Sequence, residues 1–505
     1  MYLGRYNGGK RGRRLTGTFR GKFDRPRRGA YLAPPLAAGG AKQFASAGYR
    51  PRLNGSNEIG KLLLGFLMRL RPLAYCSLAL VIVCVAIGVA NAPLACAANV
   101  PPPREVDVQR AAAAGLREIT GQHVRIFTDL PSSQAVDELP AVFDAAIPLW
   151  AKYFDLDESL IDGKFLGFLV SDREKLAALN LLPEENRDFV NGYARNYEFW
   201  LVEQPSDYYR RHLLLHEGTH AFMQTQLGDA GPGWYMEGMA ELLGTHHWEN
   251  GKLELGVMPT SKKDVPMWGR IKIIRDAVKA GKQWPIEAIL EVDNRRQLDT
   301  EHYAWTWALT AMLDGTPAFR EEFRTLKQHV ADPDFNDKFK AALGGKRGLV
   351  NQQWAAFVDQ LDYGYDVERM AIALQPAAQR SASEISIAAD RGWQATGWKL
   401  EAGKSYRMTA TGRFQIANDG EPWPCEPNGV TIEYHDGYPL GALLGAIAST
   451  KPSEGDPSFA EPMLIGSEAV IHPKCDGVLC LRVNDSPAKL TDNTGSIEVK
   501  ITPNE

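Results

Sequence analysis

Five consecutive residues, His216-Glu217-Gly218-Thr219-His220, carry the clearest chemistry in this chain. In a helix, positions four apart share a face. Both imidazoles can then reach one cation, with a ring nitrogen about 2.0–2.1 Å from it, as zinc requires. Glu217 is offset by one residue and stands beside such an ion, where a general base for an attacking water belongs. The bland alternative is a solvated helix face with two histidines. Leu213, Leu214, Leu215, Ala221, Phe222 and Met223 argue against it, because they make the flanks apolar. Two His and a Glu in a buried helix need a partner.

A catalytic zinc usually has three protein ligands and one open position. The third ligand is sought in Trp234-Tyr235-Met236-Glu237-Gly238-Met239-Ala240-Glu241. Glu237 and Glu241 share a helix face, and Met236, Met239, Leu242 and Leu243 make most of that helix apolar. We expect Glu237 on the metal. Glu241 is expected behind it, orienting a ligand histidine through its free ring nitrogen.

The elements that must position these groups are two helices. The first is expected at 207–227, capped by Ser206 and stopped by Gly228. The second starts after Gly231-Pro232-Gly233 and ends at Gly244. Further helices are expected at 135–154, 299–313 and 318–330, and strands at 123–128 and 165–170. Residues 189–203 look extended, with Tyr193, Tyr197, Phe199 and Leu201 on one face.

HExxH followed by an E-G-x-A-E element resembles the gluzincin metallopeptidases, in the aminopeptidase-like branch. The resemblance is specific in the two helices and diffuse elsewhere over about 105–370. It implies an α+β zincin-like domain, here 98–376, a zinc cofactor and a peptide or protein substrate. It also implies an edge strand before the active-site helix, on which substrate backbone pairs. Residues 196–203 occupy that place and are expected to line the cleft, although Phe199, Trp200, Leu201 and Val202 would suit an interior strand as well. A tyrosine of that branch donates to the oxyanion. The match here is Tyr303, for which a packed aromatic is the equal alternative. His302 and His212 are lesser candidates, and His246 and His247 read as surface. No amino-terminus-binding motif of the G-A-M-E-N kind precedes the helix, so endopeptidase and exopeptidase readings both stand.

After a polar connector at 375–383 the texture changes to short alternating strands, at 384–388, 405–412, 429–434, 469–472, 478–483 and 496–501. This is the pattern of an antiparallel β-sandwich, expected over 384–505. Trp393-Gln394-Ala395-Thr396-Gly397, His435-Asp436-Gly437 and Asp492-Asn493-Thr494-Gly495-Ser496 resemble the bacterial galactophilic, PA-IL-like lectins. The resemblance implies calcium on Asp485, Asp492 and Asn493, a set of hard oxygen ligands. Ordinary turn chemistry is the alternative. The sugar loop departs from the family, with Cys425-Glu426-Pro427-Asn428 in its place. Galactose specificity therefore does not carry over. Carbohydrate binding and a purely structural sandwich both remain.

The chain has 505 residues, enough for two or three domains. Its net charge of −4 gives no reason to expect a nucleic-acid partner. Residues 1–67 form a basic, low-complexity tail. Residues 73–89 are apolar, with Arg69 and Arg71 before them and Ala95-Cys96-Ala97 after. Two readings follow for 68–97. One is a signal peptide with translation beginning at Met68. The other is an uncleaved signal anchor holding the chain on a membrane. Both export everything after residue 98, to periplasm, cell surface or medium. Export permits a disulfide. Cys425 with Cys475 is the expected pair, and Cys480 the expected buried thiol. A second function class is a non-catalytic carbohydrate-binding surface protein with a vestigial metal domain.

Overall fold

A computed structural model describes residues 100–161, 163–293, 298–372, 383–418, 420–449 and 462–504. The basic tail, the apolar segment at 68–97 and most of the 375–383 connector lie outside the described residues. No helix among the described residues is long and apolar enough to cross a membrane.

The first half is built on a five-stranded sheet: β1 (Arg117–Thr120), β2 (Val124–Thr128), β3 (Phe165–Val170), β4 (Gly192–Arg195) and β5 (Glu198–Val202), in the order β1-β2-β3-β5-β4. Strands β2, β3 and β5 run parallel, while β1 and β4 are antiparallel edges. Every residue of β3 is buried, as a strand covered on both faces must be. On one face, helix α1 (Leu139–Phe154) packs Phe143 against Phe165 and Phe199, with Trp150 edge-on to Phe143. The other face holds Phe127, Phe168 and Trp200 under Leu176 and Val106.

The sequence predicts one extended stretch with 196–203 at the edge. The structure breaks it at Asn196, which takes the left-handed conformation (φ 54°) and turns β4 into β5. Strand β5 is interior because Phe199, Trp200 and Leu201 are buried on both sheet faces. The edge is β4.

Helix α2 (Asp207–Phe222) follows. The Ser206 hydroxyl accepts from Tyr209 N at its start, and Gly228 closes a final π-turn at its end. Next come helix α3 (Gly233–Gly244), the hairpin of β6 (His246–Glu249) and β7 (Lys252–Leu255), and helices α4 (Arg270–Lys279), α5 (Thr300–Gly315) and α6 (Arg347–Gln360). Helices α2, α3 and α5 share one core with α1.

The second half is antiparallel. One sheet has β8 (Ser383–Ala388), β10 (Tyr406–Thr411), β16 (Glu468–Ile471) and β18 (Ser496–Pro503). The other has β9 (Gln394–Leu400), β13 (Asn428–His435), β14 (Tyr438–Ser449) and β17 (Gly477–Val483), with β15 (Met463–Leu464) on β14. A short pair, β11 (Phe414–Asn418) and β12 (Pro422–Cys425), completes it. Trp398, Leu443, Leu479, Leu481, Ile497 and Val499 fill the space between. Strands β9 and β14 are absent from the sequence reading. In β14, Leu440-Gly441-Ala442-Leu443-Leu444 runs on without alternation because both of its faces are covered.

The expected disulfide is not formed: Cys425 and Cys475 are both free. The Cys425 thiol is buried in β12 and donates to Glu426 O, and burial pushes it up to about 11. Cys480 is a buried thiol, as expected.

Candidate metal centre

The motif lies on the most enclosed stretch of α2, where residues 212 to 222 are all buried. Gly218 lets the helix come this close to α1. A Cβ there would lie 2.8 Å from Trp150 and 2.9 Å from Phe143. Gly238 does the same for α3 against α5, where a Cβ would meet Thr310 Cγ2 at 2.4 Å. These two contacts fix the approach of the two helices that carry the polar residues.

Three atoms converge between them. His216 Nε2 and His220 Nε2 are 3.1 Å apart, and each is 3.3 Å from Glu237 Oε2. Four ligands arranged tetrahedrally at about 2.0–2.1 Å from one ion are separated by about 3.3–3.4 Å. The triangle therefore has the dimensions of three corners of such a site. Glu237 Oε2 is buried without a hydrogen-bond partner. A buried acceptor left unsatisfied is costly, and a cation within the triangle removes that cost. Burial opposes the charge on Glu237, but His220 and His216 beside it prevail and hold its carboxyl down to about 2. These buried His and Glu groups can bind a metal ion.

Glu217 stands apart from the triangle, against the edge strand: a Cβ on Gly192 would lie 2.2 Å from its Oε1. Burial, aided by the neighbouring carboxylates of Glu237 and Glu241 and opposed by His220, pushes its carboxyl up to about 8. Tyr303, on α5, sets its ring edge-on to His216 at 5.9 Å. Burial and the surrounding carboxylates keep its phenol protonated well above the usual range. It is thus available as a donor.

Glu241 is 3.5 Å from His216 Nδ1 and 3.6 Å from His212 Nε2. His212 is fully enclosed, with Nδ1 2.9 Å from Gly244 O. His302 is not at the centre. Its Nδ1 lies 2.7 Å from the Asp299 carboxylate that caps α5, and its ring meets Trp284. His247 is exposed, as expected, but His246 is not a surface residue. Its ring stacks on Tyr208 at 4.6 Å, and burial holds it neutral, down to about 3. The sequence reading missed Gly192, Trp268 and Arg270, which touch Glu217 or Glu241. No local spacing marks them, since they reach the site from β4 and from the start of α4, far along the chain from Glu217 and Glu241.

In the β half, Asn493 Nδ2 donates to Asp485 Oδ2 at 2.9 Å and to Ala389 O at 3.1 Å. Asp492 Oδ2 accepts from Asn418 N at 3.2 Å. Asp492 Oδ1 and Asn493 Oδ1 are buried acceptors with no donor. Burial pushes the Asp485 carboxyl up to about 6.

No family model matches the chain, and no curated protein matches its sequence. Two solved structures are similar in part. A PllA-like lectin, the EclA N-terminal domain, shares 19% identity over 25% of this chain and 98% of its own, with a TM-score of 0.20. The IMPa metallopeptidase from Pseudomonas aeruginosa shares 11% identity over 75% of this chain, with a TM-score of 0.16. The match spans 36% of that protein. At TM-scores this low the function has to be argued from the site itself.

Proposed function

We propose that this chain is an exported zinc peptidase of zincin-like fold, acting on peptide or protein substrates. The observation that carries the reading is the buried triangle of His216 Nε2, His220 Nε2 and Glu237 Oε2, with sides of 3.1–3.3 Å. Those three residues would hold the metal. Bound there, zinc supplies Lewis acidity to the water and the scissile carbonyl. Glu217 accepts the proton of the attacking water and delivers it to the leaving amine. Tyr303 keeps its proton and donates to the oxyanion. The antiparallel edge strand β4, lying on Glu217, is the side on which an extended substrate would pair.

The test is Glu217→Gln. The variant should keep zinc at wild-type stoichiometry by metal analysis and lose hydrolysis of a peptide library on the order of 10²–10⁴-fold. Undiminished cleavage would overturn the role. A wild-type chain that binds zinc yet cleaves nothing would favour the rival reading, a non-catalytic carbohydrate-binding protein with a vestigial metal domain.

For the sandwich we propose calcium on Asp485, Asp492 and Asn493, because two adjacent buried acceptor oxygens there lack donors. Calcium added to chelator-treated protein should raise its melting temperature, and Asp492→Asn should abolish the rise. A wild-type chain indifferent to millimolar calcium refutes the site. Glycan targeting through this module belongs to the same proposal and is checked on a glycan array.

A further inference from the structure

Glu241 lies one helical turn beyond Glu237, fully buried, and outside the metal triangle. Its charge is matched from α4. Arg270 Nη2 donates to Oε1 at 2.7 Å and Nε to Oε2 at 3.0 Å, and Trp268 Nε1 adds a third contact at 3.2 Å. Arg270 is itself 4% exposed, and its Nη1 is tied to Trp268 O at 3.1 Å. His212, His216 and Glu241 are close enough together to gather a cation of their own. A guanidinium bonded to both oxygens of Glu241 already fills that role, and a metal ion beside it would be repelled.

The same residue faces the other half of the site. Arg270 Cζ is 5.7 Å from the ring centroid of Tyr303, the ring set edge-on to His216. One planar cation thus touches both the carboxylate behind His216 and the aromatic in front of it.

Resting on the metal reading above, we propose that Arg270 is a positioning residue for both groups. It holds Glu241 with Oε1 3.5 Å from His216 Nδ1, on the side of the ring away from Glu237 and the metal, where the carboxylate favours a proton on Nδ1 and leaves Nε2 free to coordinate. It also supports the Tyr303 ring. The role needs a fork of donors and a flat face, which lysine lacks.

Arg270→Lys keeps the charge and tests the geometry. The folded variant should bind zinc about 10–100-fold more weakly in chelator competition, the scale expected when a ligand histidine loses the group that orients it. Glu241→Gln should weaken zinc similarly, and the double variant should be no weaker than Glu241→Gln alone. A folded Arg270→Lys protein with zinc affinity within about twofold of wild type, or fully additive losses, overturns the proposal. A second measurement needs neither zinc nor a variant that folds. Long-range ¹⁵N NMR of metal-free wild-type protein should find His216 protonated on Nδ1. The Nε2–H tautomer would refute the proposal. Failure of wild-type protein to bind zinc would instead count against the peptidase reading and leave the tautomer result to decide this one.

Discussion

At Gly192 the absence of a side chain is a steric requirement set by another residue. Its φ lies outside the left-handed region, so alanine is allowed by the backbone. A methyl group there would nonetheless fall 2.2 Å from Glu217 Oε1 and 2.7 Å from its carboxyl carbon. Glu217 must then rotate away from the position proposed for the general base. Gly192→Ala is expected to fold, to hold zinc as wild type does, and to lose kcat by about 10–100-fold, the scale of a 1 Å misplacement. Steady-state kinetics beside metal analysis check this. Unchanged kcat would mean that β4 does not set the base. The contrast with His216, Glu217 and His220 explains what was legible at this scale. Those three are readable because a four-residue spacing on one helix is a local property. Glu237 was readable because a carboxylate in an apolar helix needs a partner. Gly192 and Arg270 act across more than twenty residues of chain, through contacts that no spacing encodes.

The elements show why two glycines accompany the acidic and imidazole groups. Gly218 and Gly238 are the points where α2 meets α1 and α3 meets α5, so both helices of the candidate centre are seated by glycine. Gly238→Ala would put its methyl 2.4 Å from Thr310 Cγ2 and 3.0 Å from the backbone oxygen of Thr306. It would also disturb the hydrogen bond from Thr310 Oγ1 to Gly238 O at 3.0 Å. Helix α3 has to back off from α5, which should cost about 1–3 kcal/mol and weaken zinc by moving Glu237. Gly348→Ala, in α6 with nothing within 4 Å, is the control. It should be neutral or stabilise by up to about 1 kcal/mol. Denaturant unfolding of both variants decides: equal effects would mean that helix propensity, not helix contact, is being measured. The helices themselves were legible from caps and periodicity, with Ser206 and Gly228 in their expected roles. The strands were less so. An interior strand such as β14 has no polar face, so alternation, the signal for strands, is missing where burial is deepest.

From residue 100 onward the chain joins its two halves through a shared core. The outer face of the β9-β14-β17 sheet, with Ala395, Leu444, Ala446, Ala448 and Cys480, packs in the same cluster as Trp354 and Phe357 of α6, and Trp393 lies with them. Arg482 of β17 reaches Gln360 Oε1 at 2.6 Å and lies over the Trp393 ring at 5.0 Å. Backbone bonds cross as well, from Gly392 N to Arg369 O at 2.9 Å and from Asp366 N to Pro487 O at 3.1 Å. A sandwich on a loose tether would keep this face polar. Here it is made of small apolar residues that only a packed neighbour can cover. The two halves should therefore unfold as one unit, although their folds are independent in kind. Trp393→Ala, which is 2% exposed, should cost about 3–5 kcal/mol. It should lower the midpoint reported by the metal half as much as the midpoint reported by the β half. Calorimetry with probes in each half checks it. Two separated transitions in the wild type, or a Trp393→Ala loss confined to one of them, would show that the sandwich is a passenger and not part of the structure that holds the metal centre.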